Sequence, residues 1–391
     1  MLRTQAQRWG ELWARFQDPD RPHKMLALDG GGIRGLITLG ILKKLEERLG
    51  KPLCEFFDYV AGTSTGAIIA AGLARGMPVA QLIDFYRESG KDMFEKASLL
   101  KRLSSFYEAD PLRQRLRQVF GEETNLEPRY LKCLLLVVTQ NVSTDSPWPI
   151  SSNPDARYNR FDRQDCNLRI PLWQLVRAST AAPVYFPPEV LQWDKDDPAK
   201  TFVFVDGGVT PYNNPAFLLY RMATAAPYCL NWKTGEKNML LVSVGTGSAA
   251  NPTSKANMNL LRNVAGLPGH LMYTILNEQD INCRTVGRCT HGAWIDRELF
   301  DLTCRDAAAA CSKDAWLEAS HKPAQEDLGR AFLYARYNAD LSREGLNLLG
   351  CPDIRPDDVQ QLDSVEHMDE LLRVGAAAGE QVSLDHFGGF T

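Results

Sequence analysis

Three times before residue 210 a short apolar run ends directly in a glycine turn. Met25 to Leu28 leads into Gly30-Gly31-Gly32, Phe57 to Ala61 into Gly62, and Thr201 to Val205 into Gly207-Gly208. Runs of four or five apolar residues bounded by turn signals are buried strands, and glycine turns at their ends leave backbone free for chemistry. Between them lie helical patterns at Leu36 to Leu49, Thr65 to Arg75, Val79 to Lys91, Pro111 to Phe120 and Leu172 to Ser179. Further strands read at Leu131 to Thr139 and Met239 to Val244. Strands alternating with helices require an α/β domain with a largely parallel sheet.

That domain is expected over residues 22–250 of the 391. Ahead of it, over residues 1–21, Trp9, Leu12, Trp13 and Phe16 recur at helical spacing and end at the Pro19 to Pro22 turn signal. Such an amphipathic helix packs on the domain or on another subunit, or else anchors at a lipid headgroup boundary through its two tryptophans. Residues 251–391 read as a polar loop at Asn251 to Asn259 and then mostly helical stretches, with Phe332, Tyr334 and Tyr337 interspersed and a helix at Gln360 to Ala378. This mainly helical region is expected to pack on the α/β domain as an extension.

A net charge of −4 gives no electrostatic footprint for nucleic acid. Nine scattered cysteines, no secretory signal and no run of the ~20 apolar residues needed to span a bilayer lead to the expectation of a cytoplasmic, reduced protein.

Each glycine turn carries its own chemistry. Asp29-Gly30-Gly31-Gly32-Ile33-Arg34-Gly35 exposes backbone N–H groups beside a helix start, which suits a negative oxygen. Gly30-x-Gly32-x-x-Gly35 also matches a dinucleotide fingerprint, although the nearest acidic residue, Glu55, precedes the second strand instead of ending it. Gly62-Thr63-Ser64-Thr65-Gly66 is a G-x-S-x-G at a strand-to-helix junction, the setting of a nucleophilic serine on a sharp turn. Its base could come from one of six histidines by count. The better placed partner is Asp206, at a strand's carboxyl end and freed by Gly207 and Gly208. Cys283, Cys289, His291 and Cys304 lack the close pair spacing of a zinc site, so no metal is expected.

In these motifs the chain resembles the patatin-like phospholipase family, with its D-G-G-G-x-R/K-G loop, G-x-S-x-G elbow and D-G-G/A turn. Ala178 to Pro183 followed by Tyr185-Phe186 is similar to a family segment lining the site. The resemblance implies a three-layer fold and a Ser64–Asp206 dyad that needs neither metal nor cofactor. It implies an oxyanion hole from the Gly30 to Gly32 amides, supported by Arg34 and Gly35. The implied substrate is a membrane phospholipid or another acyl lipid, met at the inner face of the membrane. Family precedent adds a second expectation, a phospholipase effector of antiphage defence switched on by a cyclic nucleotide. A nucleotide-binding sensor without hydrolase activity stays open, as does a homo-oligomer.

Overall fold

A computed structural model describes residues 4–18, 20–94, 111–183, 186–194, 196–249, 260–293, 295 and 329–391. Among them nine strands form one sheet. In chain order these are β1 His23–Leu28, β2 Tyr59–Thr63, β3 Leu134–Asn141, β4 Ser146–Ser151, β5 Glu189–Gln192, β6 Thr201–Asp206, β7 Met239–Val244, β8 Arg288–His291 and β9 Leu333–Tyr337. They are ordered β5-β6-β3-β2-β1-β7-β9-β8, with β4 also on β3. From β3 to β8 every pairing is parallel; β4 and β6 join β3 antiparallel, and β5 joins β6 antiparallel.

The register along β3 positions the site. A strand has two edges, and β4 occupies one of them from Leu136 to Asn141. On the other edge β2 pairs as far as Thr63 opposite Val138, and β6 takes over with Asp206 opposite Thr139. The two strands therefore meet end to end on one edge of β3. The carboxyl end of β2, where Ser64 follows, abuts the carboxyl end of β6, where Asp206 stands.

Alternation of side chains gives the sheet two apolar faces. Leu26, Leu28, Val60, Leu135, Val137, Leu240 and Val242 point one way, into a core with helices α1 Gly35–Leu49, α2 Thr65–Ala74, α3 Val79–Phe94, α4 Pro111–Phe120 and α5 Leu172–Ser179. Met25, Ala27, Tyr59, Ala61, Leu134, Leu136 and Leu241 point the other way, under helix α6 Ala216–Thr224 and the N-terminal segment. The result is the expected three-layer α/β fold.

The N-terminal segment is not one continuous helix: Gln5–Trp9, a 3-10 turn at Gly10–Leu12 and Trp13–Phe16 follow each other. Its apolar face is spent on the domain. Trp9 and Leu12 are buried in the second core, and the Trp9 indole donates to Asp155 at 2.9 Å. Arg15 donates to Asp58 and to the carbonyls of Cys54 and Phe57. Of its two tryptophans, Trp9 is covered by the domain and Trp13 packs part-buried against the same core. None of the described helices is long and apolar enough to cross a membrane.

The C-terminal region does more than cover the sheet. Phe332, Tyr334 and Tyr337, placed by sequence among helical stretches, belong to or adjoin β9, which pairs with β7. Helix α7 Leu260–Val286 packs beside β8 and β9, and helix α8 Met368–Gly379 lies on α1 where the backbones touch at Gly40 and Gly375. The loop expected at Asn251 to Asn259 lies outside the described residues.

Candidate active site

Ser64 has φ +55°, in the region L residues avoid, at the junction of β2 and α2. That conformation stores strain of about 1–3 kcal/mol and lifts the side chain clear of the turn. The turn closes only because its flanks are bare: a Cβ at Gly62 would lie 2.1 Å from the Gly66 carbonyl oxygen, and one at Gly66 would lie 2.3 Å from the Leu28 carbonyl oxygen. The Ser64 hydroxyl donates to Asp206 Oδ2 at 2.7 Å, while its amide donates to Ser179 Oγ at 2.9 Å. Ser179 is itself fixed by donating to the Val138 carbonyl. Thr63 anchors the elbow from below, its hydroxyl donating to the Tyr212 carbonyl at 2.7 Å, and Thr65 pairs with the buried Tyr86 hydroxyl.

Asp206 is buried, and that burial raises its carboxyl to about 6. The Gly208 N–H at 2.6 Å, the Ser64 hydroxyl and the charge of Arg177 each pull it back. Arg177 is wholly buried on α5, donates to the Pro187 carbonyl and lies 5.2 Å from the Phe186 ring centre. Phe186 belongs to the segment expected to line the site; Tyr185 lies outside the described residues. A carboxylate at this value is a far better proton acceptor than an exposed one, and it already faces the serine hydroxyl.

The glycine loop sits against this pair, since a Cβ at Gly30 would be 3.2 Å from Ser64 Cβ. Its amides are not equivalent. Gly30 donates to the Asn213 carbonyl at 3.0 Å and Gly35 donates to the Gly32 carbonyl, so neither can serve an oxyanion. The Gly31 and Gly32 amides have no acceptor among the described residues. Of the three amides expected to form an oxyanion hole, the first is engaged in holding the loop to the Asn213 segment. Gly35 instead lets α1 approach α2 beside Thr65.

Arg34 points to the C-terminal region, donating to the Gln360 carbonyl at 3.2 Å; burial brings its guanidinium down to about 10 against the pull of Asp29. The neighbouring Ile33 amide donates to the Leu362 carbonyl. Asp29 is gripped by Arg336 of β9 through two hydrogen bonds of 2.9 and 2.5 Å. Burial works against the Arg336 charge, yet Asp29 outweighs it and holds the guanidinium above its ordinary value. Thr246, in the turn after β7, donates to the Gly30 carbonyl. Sequence reasoning did not find Arg336, Leu362 or Asn213.

Other readings of the sequence fall elsewhere in the fold. Of the histidines that could supply a base by count, His291 closes β8, which is four strands from β2 and so about 19 Å away. No described histidine is bonded to Ser64. Glu55 precedes β2, at the end of the sheet opposite the glycine loop. Cys283 is buried in the second core, Cys289 and His291 lie on β8, and Cys304 falls outside the described residues. Among the described residues no three His, Cys, Asp or Glu side chains are placed to hold a metal.

A strained serine bonded to a buried aspartate at the strand ends of a three-layer α/β fold defines a candidate acyl-transfer site. The family model of patatin-like phospholipases matches residues 26–220, which contain all three motifs. The chain belongs to the patatin-like phospholipase family. It is 30% identical over 213 residues to the cGAMP-activated phospholipase of Vibrio cholerae, covering 50% of this chain and 56% of that one. It is 31% identical over 229 residues to the cUMP-AMP-activated phospholipase of Escherichia coli, covering 59% and 66%. The 85/88 kDa calcium-independent phospholipase A2 of Mus musculus is 28% identical over 316 residues, covering 75% of this chain but 36% of that one. The chain thus spans about a third to two thirds of these relatives' lengths.

Proposed function

We propose that the protein is a serine lipid acyl hydrolase that cleaves fatty-acyl esters of membrane phospholipids. The observation that carries this reading is the 2.7 Å bond from the Ser64 hydroxyl to Asp206, on an elbow with φ +55°. Ser64 Oγ attacks the ester carbonyl and passes its proton to Asp206. The carbonyl oxygen becomes an oxyanion, held by the Gly31 and Gly32 amides. On collapse the leaving alcohol takes the proton from Asp206, and the acyl group stays on Ser64. Water then gives a proton to Asp206 and attacks the acyl carbon; the proton returns to Ser64 as the fatty acid leaves. Asp206 is a weak base for a serine hydroxyl, so much of the rate must come from positioning and from the oxyanion hole. The test is release of fatty acid from phospholipid vesicles. Ser64→Ala and Asp206→Asn should each abolish it, and full activity in either would sink the assignment.

A second reading adds control of the same site. Two relatives are named as activated by cGAMP or cUMP-AMP, which favours a cyclic-nucleotide-switched effector of antiphage defence. Vesicle hydrolysis should then rise with one member of a panel of cyclic di- and trinucleotides, and no response to any of them would refute it. A nucleotide sensor without hydrolase activity separates from both readings, because a fluorophosphonate ester would leave its Ser64 unlabelled.

A further inference from the structure

Asn213 is 1% exposed, yet neither its Nδ2 nor its Oδ1 has a hydrogen-bond partner among the described residues. A bare carboxamide in a protein interior is costly, and buried polar groups are otherwise almost always paired. Its location is defined by two glycines. A Cβ at Gly30 would lie 2.2 Å from Asn213 Oδ1 and 3.2 Å from Ser64 Cβ. One at Gly208 would lie 3.1 Å from Asn213 Oδ1 and 3.0 Å from Asp206 Oδ1. The carboxamide is thus wedged between the glycine loop and the turn after Asp206, beside both members of the dyad. Its backbone is tied independently of the side chain: the Asn213 carbonyl accepts from Gly30, and the Tyr212 carbonyl accepts from Thr63.

We propose that the Asn213 carboxamide holds the water that hydrolyses the acyl-enzyme. This rests on the hydrolase reading above and assigns a residue to its second half. Once Ser64 Oγ carries the acyl group it has no hydrogen to give Asp206 Oδ2, while Asp206 Oδ1 still accepts from Gly208. A water can give one hydrogen to the vacated Oδ2. Its second hydrogen needs another acceptor if a lone pair is to face the acyl carbon, and the unpaired amide supplies it. The water oxygen bonds to the acyl carbon, Asp206 takes the first proton, and the second hydrogen stays on the departing fatty acid. As the bond from acyl carbon to Ser64 Oγ breaks, Asp206 returns its proton to that oxygen. Acylation needs no water, so Asn213 acts on deacylation alone.

The experiment is stopped-flow hydrolysis of a p-nitrophenyl fatty ester by the full chain, comparing wild type with Asn213→Ala and Asn213→Ser. The alanine variant should release one p-nitrophenol per site in a burst and then turn over slowly, with kcat and KM falling together by roughly tenfold and kcat/KM holding within about twofold. Fluorophosphonate labelling of Ser64 should keep its wild-type rate, which also shows that the variant is folded. The serine variant, with a hydroxyl in place of the amide, should recover part of kcat, and added hydroxylamine should speed the slow phase of the alanine variant. A parallel fall in kcat/KM and labelling rate overturns the proposal, as do unchanged kinetics. If wild type is neither labelled nor active, the hydrolase reading itself fails and takes this proposal with it.

Discussion

Arg336 and Asp29, 307 residues apart in sequence, form a buried two-pronged ion pair at the head of the glycine loop. The same guanidinium donates to Ser243 Oγ at 2.7 Å, so β9 and β7 together hold the residue that precedes Gly30. Breaking a buried pair from one side leaves a charge without compensation, at a cost of about 3–5 kcal/mol. Arg336→Met should therefore lower the urea midpoint sharply and slow fluorophosphonate labelling of Ser64. Arg336→Lys cannot reproduce the fork and should fall between. Asp29→Asn combined with Arg336→Met should be less destabilised than Arg336→Met alone, because no lone charge remains. An unchanged midpoint in Arg336→Met would show that the pair does not seat the loop. A fragment of residues 1–250 lacks Arg336 and β9, and should not fold.

The buried Asp206 carboxyl carries a cost in stability. Its carboxyl is raised from 3.8 to about 6 in the folded protein, chiefly by burial. Between those values the folded state binds a proton that the unfolded state has lost, so stability falls as pH rises through this window. The penalty is absent below about pH 4 and complete above about pH 6, where it amounts to roughly 3 kcal/mol at most. Asp206→Asn keeps an acceptor for the Gly208 amide and removes the charge. It should be inactive yet more stable than wild type at neutral pH, with the gain shrinking toward about pH 4. Urea titrations at the two pH values check the sign; a gain that grows on acidification would contradict it.

In the proposed mechanism the same carboxyl sets the acid limb of the reaction. A base must be ionised to accept the Ser64 proton, so kcat/KM should fall about tenfold per pH unit below a midpoint near 6. Arg177 carries a charge that favours the ionised form, and Arg177→Met should move the limb upward. A kcat/KM profile of both proteins from about pH 4 to about pH 9 reads this directly. An identical midpoint in the variant would remove Arg177 from the site's electrostatics.

What was legible in the sequence was local. Ser64 and Asp206 each stand at the end of an apolar run beside glycines, and those short-range signals place them at strand exits whatever the rest of the chain does. That the two exits face each other depends on β3, whose single edge is shared by β2 and β6. β4 carries Pro147 and Pro149, which argue against a strand in a sequence reading and are tolerated because β4 lies at an edge of β3. β9 was missed because Phe332, Tyr334 and Tyr337 fit helical and strand spacing alike. The Gly30 amide reads locally as an oxyanion donor, but its acceptor, the Asn213 carbonyl, is distant in the chain and carries no local signal.

Trp9 separates the two readings of the N-terminal segment. Its ring is 4% exposed, lies 5.3 Å from the Phe16 ring centre and donates to Asp155. Phe16 in turn stacks on His23 and Trp232, so the segment closes the amino end of β1. Trp9→Ala removes a buried indole and leaves the Asp155 carboxylate without that donor, which should cost about 3 kcal/mol or more. Partition onto anionic phospholipid vesicles should not change, since the ring already faces the protein interior. Thermal unfolding and vesicle sedimentation of the variant and wild type decide between the two. Weakened sedimentation with an unshifted melting temperature would restore the membrane anchor and remove the packing role.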